Sequence, residues 1–268
     1  MSGIEWTGVT WNPSTGCDRI SPGCDHCYAL TMAKRLKGMG QAKYQTDGDP
    51  RTSGPGFGLA IHPDSLDVPL RRRAPQTWFV NSMSDLFHAR VPIPFIADVW
   101  DVMARTPQHT YQILTKRSHR MSSILLGPHV CAEPLPNVHL GTSIELDKYA
   151  CRADDLRETP AAVRFLSLEP LLGPLPSLDL SHIDWAIIGG ESGSGARPMD
   201  LGWVRDLIAQ CRETRTAIFV KQLGSVWAQE HYAAFGCKHT GSHGGKWDCW
   251  PDDLRIREFP AAAEVITA

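Results

Sequence analysis

The sequence predicts an α/β fold, a partial or complete (β/α) barrel of the TIM type. Three observations predict it. Short apolar, strand-forming runs alternate with helical segments, the pattern of a parallel sheet with helical crossovers. Polar residues gather just past the ends of about six of those runs, where (β/α) folds place their chemistry. The length of 268 residues and an apolar content of 42% suit one large core. The expected organisation is a single domain over residues 1–268, with an irregular insertion at about 37–76 and a C-terminal capping segment at about 225–268.

Taken in order, Ile4 to Trp11 is rich in β-formers and reads as a first strand, ended by Asn12-Pro13. A cysteine-bearing loop follows, and Tyr28 to Leu36 opens as a helix. Residues 37–76, rich in Gly, Pro and Arg, read as a long irregular segment of the kind that serves as a lid or moves. Thr77 to Val80 is the second strand, and Pro92 and Pro94 open a helix at about Phe95 to Arg105. Thr110 to Leu114 is the third strand, with a helix around Arg120 to Leu125. The fourth strand begins at Val138 to Leu140 and is followed by a short helix at Tyr149 to Leu156. Val163 to Leu168, Ile183 to Ile188 and Ala217 to Val220 are the fifth to seventh strands, with a helix over Trp203 to Arg212 between the last two. No internal repeat or low-complexity tract interrupts the pattern.

The net charge of −2 gives no global positive field, so nucleic acid would have to be met by a local basic groove. No apolar run approaches the length of a membrane span, and Met1 to Trp11 lacks the apolar core of a signal peptide. A cytoplasmic protein with reduced thiols is the expectation.

Three of the eight cysteines lie within eleven residues, Cys17, Cys24 and Cys27, spaced C-x6-C-x2-C in a loop made by Gly16, Pro22 and Gly23. Three thiolates can hold three irons of a 4Fe–4S cluster and leave the fourth iron open to a ligand. A structural zinc site would need a fourth ligand, and His26 sits in the x2 turn, where side chains face away from the metal. Free thiols are the remaining reading; the cluster is the one the loop favours. A second constellation, Cys237, His239, His243 and Cys249, has a spacing irregular for a zinc finger, and a Gly-rich capping loop describes it better.

The strand ends carry Ser84 and Asp85, Lys116 and Arg117, Ser143 and Glu145, Glu169, Glu191, and Lys221 with Gln222. Any one of these is ordinary for a polar loop; their repetition would line one mouth with charge. Arg71-Arg72-Arg73, Arg117, Arg120 and Arg197 could meet phosphates, although a run such as the triplet is more often a solvated face. Tyr28, Trp78 and Trp227 are candidate walls for a flipped base, although a Trp is more often a core residue.

These residues carry two resemblances. Gly23-Cys24-Asp25-His26-Cys27-Tyr28-Ala29 after a first strand resembles the cluster loop of radical S-adenosyl-L-methionine (SAM) enzymes, in a variant with a longer first gap than their usual C-x3-C-x2-C. Over almost its full length the chain also resembles a family of phage and bacterial proteins. The shared phrases are Trp11-Asn12-Pro13, Ser82 to Phe87, Leu114 to Arg117, Leu166 to Leu172 and Gly189 to Gly193, and that match names no reaction. Within radical SAM enzymes the chain is similar to spore photoproduct lyases, which repair a thymine dimer of spore DNA. Their cluster loop also ends in Cys-Tyr, as at Cys27-Tyr28. Their SAM-binding Ser-Asp, Thr-Lys and Ser follow the second, third and fourth strands in the order of Ser84-Asp85, Thr115-Lys116 and Ser143.

The resemblance implies a barrel of the radical SAM kind, a 4Fe–4S cluster on Cys17, Cys24 and Cys27, and SAM held by Ser84, Asp85, Lys116 and Ser143. It implies DNA with a thymine-dimer lesion as substrate and an electron donor such as flavodoxin or ferredoxin. Arg117, Glu169, Glu191, Arg197, Lys221 and Gln222 are the substrate-side candidates. Gly189-Gly190-Glu191 is similar to a phrase that binds the SAM amine in many radical SAM enzymes but stands four strands later, so Glu191 reads as substrate-side or structural. The lyases carry a hydrogen-donating Cys just before the Ser-Asp pair. Ser82 stands there in this chain, and its O–H bond is too strong for that role. Tyr28 is then the nearest donor, with Cys131, Cys151 and Cys211 more distant. A radical SAM enzyme acting on another nucleobase or a small molecule is the second expectation, and a zinc-containing nucleic-acid-binding protein without redox chemistry the third.

Overall fold

A computed structural model describes residues 5–128, 130, 133–232, 234 and 243–261. Its elements are β1 (Val9–Trp11), β2 (Ser14–Thr15), α1 (Tyr28–Gly38), β3 (Ala60–Ile61), β4 (Thr77–Val80), α2 (Ile93–Ala104), β5 (Thr110–Thr115) and α3 (Ser118–Leu125). They continue with β6 (Val138–Ser143), α4 (Cys151–Glu158), β7 (Val163–Leu168), β8 (Trp185–Gly189), α5 (Leu201–Thr214), β9 (Ala217–Gln222) and α6 (Ser225–His231). The main sheet has seven strands in the order β1-β4-β5-β6-β7-β8-β9, and β2 and β3 form a separate antiparallel pair. Parallel pairing in chain order, with helices between the strands, is the α/β topology of a partial (β/α) barrel.

By contacts the chain divides into two compact units, Met1–Thr142 with Asp155–Val163, and Ser143–Asp154 with Arg164–Ala262. In the first, Val80, Ile113 and Tyr111 are buried on the sheet, and α2 buries Ile96, Val99 and Met103. Pro92 caps α2 and Pro94 lies in its first turn, where a missing N–H removes no helical bond. In the second, Phe165, Trp185, Ile187 and Val220 are buried, and α5 faces them with Val204, Leu207 and Cys211. Asp200 caps α5 by accepting the Gly202 N–H at 2.7 Å. The segment Ile256 to Glu258 runs antiparallel along β9, with Val220 N–H donating to Ile256 O and Glu258 N–H to Ile218 O, so this strand is paired on that side as well.

Several expectations need correction. The first strand is shorter than Ile4 to Trp11: the strand pairing covers Val9–Trp11, against Trp78–Val80, and residues 5 and 6 form a turn (Ile4 lies outside the described residues). Gly8 packs so closely that a Cβ there would sit 3.0 Å from Thr77 O. Trp78 and Trp227 are core residues: Trp78 is buried edge-on against His109, and Trp227 is buried and stacked 5.0 Å from the His231 ring. Helix α6 lies within the expected capping segment. No helix among the described residues is long and apolar enough to cross a membrane.

Candidate functional site

The cysteine loop is fixed at both ends before any ligand is considered. Ser14 and Thr15 pair with Ile61 and Ala60, tying the loop's start to the irregular segment. Gly16 then passes between two backbones: its N–H donates to Met83 O at 2.9 Å, and an added Cβ would lie 2.1 Å from Gly58 O. At the far end Pro22–Cys24 makes one 3-10 turn, and Cys27 is the N-cap of α1.

Between these anchors Asp18 is the tether. Its carboxylate accepts from Thr52 Oγ1 at 2.7 Å and Ser53 Oγ at 3.2 Å, and meets His88 Nε2 at 3.0 Å and Arg90 at 3.1 Å. Burial pushes its pKa up, but the hydrogen bonds from Thr52, His88 and Ser53 outweigh it and hold the carboxyl at about 2.

The three thiols are free and each is half-buried. Cys17 and Cys27 pack against one apolar cluster of Ala29, Ala33, Phe57 and Met83. Burial first, then the Asp85 carboxylate, push the Cys17 thiol up to about 12, against the pull of Arg117. Burial likewise raises Cys27, opposed by the Ala29 N–H at the start of α1 and by the Lys116 ammonium. Cys24 acts electrostatically on both of the others, so the loop brings the three sulfurs into one neighbourhood. Among the described residues, no group of three or more His, Cys, Asp or Glu side chains closes around the position of a single metal ion. His26 is exposed.

The loop after β4 stands beside them. Asn81 takes a left-handed φ of 64°, a conformation Asn tolerates better than most residues. It donates to Ser14 Oγ at 3.0 Å, and Ser14 Oγ lies 2.9 Å from Ser84 Oγ. Asn12 Oδ1 accepts from Met83 N–H at 3.0 Å. Asp85 is buried, with four donors on its two oxygens: Phe87 N–H (2.9 Å), Thr115 Oγ1 (2.7 Å), Lys116 N–H (3.3 Å) and Arg117 (2.8 Å). Through these bonds it joins the ends of β4 and β5.

The second unit carries three networks at strand ends. After β6, Arg152 donates to Ser143 O at 2.7 Å and Glu145 Oε2 at 3.0 Å, with its guanidinium 4.2 Å from the Tyr149 ring centre. After β7, Glu169 accepts from Lys221 Nζ (2.8 and 3.0 Å) and Gln222 Nε2 (3.0 Å), both at the end of β9. Gly189 leaves room for that carboxylate, since a Cβ there would be 3.3 Å from Glu169 Cδ. After β8, buried Glu191 holds Arg197 by a two-pronged ion pair and by the Arg197 N–H at 2.8 Å.

The sequence model of a family described as "Protein of unknown function (DUF5131)" matches residues 1–251. The chain belongs to the DUF5131 family. No curated protein matches this DUF5131 chain in sequence. Solved structures similar to it are spore photoproduct lyases. A cysteine-to-serine mutant of that enzyme is 12% identical with a TM-score of 0.42, over 77% of this chain and 61% of the other. A mutant with bound AdoMet and dinucleoside spore photoproduct is 13% identical with a TM-score of 0.41, over 77% and 61%. The DUF5131 chain thus spans about three fifths of the length of the lyase chains it matches.

In this DUF5131 protein the first unit holds Cys17, Cys24, Cys27, Tyr28, Ser84, Asp85, Lys116 and Arg117 around the cysteine loop. The second holds Ser143, Glu169, Glu191, Arg197, Lys221 and Gln222. Tyr28 is exposed, and its hydroxyl donates to Ser82 O. Lys116 lies near Cys27, and its ammonium has no hydrogen-bond acceptor among the described residues. Arg117, a substrate-side candidate, turns its guanidinium inward to Asp85, Cys17 and the Asp18 carbonyl. Arg197 is taken up by Glu191, and Arg71 pairs with Asp67 on the surface. Arg120 donates to Val91 O at 3.0 Å. Of the other candidate donors, Cys211 is buried in α5, Cys151 is exposed, and Cys131 lies outside the described residues. Cys237 and His239 also lie outside them, and Cys249 is disulfide-bonded.

Sequence reasoning missed Asp18, Asn12, Ser14, His88 and Arg152. A polar residue directly after the first cysteine was the one available signal for Asp18. Arg152 carries a prediction of its own: Arg152→Ala removes the guanidinium that neutralises fully buried Glu145. Breaking such a pair is expected to cost about 3 kcal/mol of stability, read as a lower denaturant midpoint at unchanged slope.

Proposed function

We propose that this chain is a radical SAM enzyme that holds a 4Fe–4S cluster on Cys17, Cys24 and Cys27, with spore photoproduct in DNA as the substrate of first choice. The observation that carries the reading is the loop itself: three free thiols in one neighbourhood, two of them, Cys17 and Cys27, on a shared apolar cluster, with the Lys116 ammonium beside Cys27. The donor set fits such a cluster, because three cysteines leave one iron for a chelating ligand and a cluster spreads its ligands wider than a lone ion does. When bound and reduced, the cluster supplies the electron that splits SAM into methionine and a 5′-deoxyadenosyl radical.

The chain's own residues then have separable tasks. Lys116 pairs with the SAM carboxylate as a compact charge. Ser84 and Ser143 hydrogen-bond SAM, and Asp85 contributes by fixing Arg117 and the backbone of Lys116. Glu169, Lys221, Gln222, Glu191 and Arg197 belong to the substrate side. The proposed setting is cytoplasmic, with a flavodoxin or ferredoxin as electron donor and lesion-bearing DNA as partner. A second reading, action on another nucleobase or a small molecule, is favoured by Ser82 at the place of the lyases' hydrogen-donating Cys.

The test is anaerobic reconstitution with iron and sulfide, followed by SAM and a reductant. The expected result is visible absorbance from bound iron and release of 5′-deoxyadenosine. Restoration of two thymines from spore photoproduct selects the first reading. SAM cleavage without that product selects the second. Failure to bind iron removes both.

A further inference from the structure

Arg117 is placed unlike a solvated strand-end arginine. Its side chain is only 12% exposed, and its guanidinium is held on three sides. The NH1 group donates to Asp85 Oδ2 at 2.8 Å and to Cys17 Sγ at 3.4 Å, and NH2 donates to Asp18 O at 3.0 Å. Its backbone N–H is fixed as well, on Thr115 Oγ1 at 2.9 Å. One NH1 nitrogen has two hydrogens, so both of its bonds form together. A guanidinium remains charged under any condition the protein meets. The result is a fixed row of carboxylate, guanidinium and sulfur, with the apolar cluster of Ala29, Ala33, Phe57 and Met83 behind the sulfur.

We propose that Arg117 sets the reduction potential of an iron–sulfur cluster held on this loop, through its N–H···S bond to Cys17. The inference rests on the cluster reading above and deepens it. Hydrogen bonds to ligating sulfurs are among the levers that set such potentials. A ligating sulfur carries more negative charge when the cluster is reduced, so a fixed cation donating to it stabilises the reduced form more than the oxidised one. The sign follows: Arg117 raises the potential and makes the cluster easier to reduce. Asp85 is a positioning residue in this arrangement, because its carboxylate keeps the guanidinium from swinging to solvent.

The test is a potentiometric titration of the reconstituted full-length protein, followed by visible absorbance and electron paramagnetic resonance. The proteins compared are wild type, Arg117→Gln, Arg117→Lys and the paired variant Asp85→Asn/Arg117→Gln. The paired variant removes both buried charges together and protects the fold, and Arg117→Lys keeps the positive charge. Arg117→Gln is expected to be harder to reduce by about tenfold, a negative shift of about 59 mV for one electron. The paired variant, which also removes the opposing Asp85 carboxylate, should shift in the same direction by less, and Arg117→Lys should fall between Arg117→Gln and wild type. Potentials equal to wild type in a loaded Arg117→Gln or paired variant overturn the proposal and leave the cluster reading intact. Loss of iron from folded variants, while wild type loads, also overturns it by making Arg117 an assembly residue. Wild type that takes up no iron overturns the cluster reading first and this inference with it.

Discussion

Cys24→Ala is expected to reduce bound iron to background and to abolish SAM cleavage, with little change in stability. The two halves of that expectation have different physical origins. Cys24 is half-buried in a 3-10 turn, and its sulfur meets Ser21 Oγ at 3.9 Å. Removing such a group typically changes stability by about 0.5 kcal/mol or less. Its role in assembly is different, because it supplies one of the three thiolates that the cluster needs. Two remaining thiolates would leave two irons without protein ligands. Iron and sulfide assays on the reconstituted variant, beside a denaturant curve of the unloaded protein, separate the two halves. Iron or SAM cleavage at wild-type level in Cys24→Ala would show that the ligands lie elsewhere. Elemental analysis of the loaded wild type decides between iron and zinc, since either metal would be lost with Cys24.

The cysteine-bearing loop after the first strand and most of the sheet were legible because their signals are local. Thr77–Val80 and Val163–Leu168 read to the residue, since apolar β-formers fill those strands from end to end. The strands β6 and β9 continue past their apolar runs to the polar ends expected for them, Ser143 and Gln222, because backbone pairing continues through polar residues after the apolar run stops. Ile4 to Trp11 failed for the converse reason: β-forming residues make a strand only where another strand pairs with them. The partners of Asp18 were beyond reach. Thr52, Ser53, His88 and Arg90 lie 34 to 72 residues away, in segments with no periodic pattern. Arg117 shows the same limit in another form. Its position at a strand end was plain, but whether a long side chain turns to solvent or inward depends on where Asp85 and Cys17 come to rest. The sequence does not place those groups together.

Gly16→Ala is expected to lose iron binding while keeping all three cysteines, the complement of the Cys24 result. Gly16 has a φ of 83°, in the left-handed region. A Cβ there costs about 1–2 kcal/mol from the backbone conformation alone. The larger effect is spatial. The new methyl would lie 2.1 Å from Gly58 O and 2.7 Å from Leu59 N, and these are backbone atoms that no rotamer change can move aside. Relief requires residues 58 and 59 to back away from the loop, or Gly16 to break its bond to Met83 O. Either movement disturbs the packing of Cys17 on Phe57 and Met83 and, one residue on, the hold of Asp18 on Thr52 and Ser53. A fall in stability of about 3 kcal/mol, which exceeds the conformational part alone, and an iron content well below wild type are therefore expected. Hydrogen exchange should rise in residues 46–61, and α5 and β9 should keep their protection. Normal iron loading by Gly16→Ala would mean that the thiols find the metal without this scaffold. The ordered loop would then be a consequence of binding rather than its precondition.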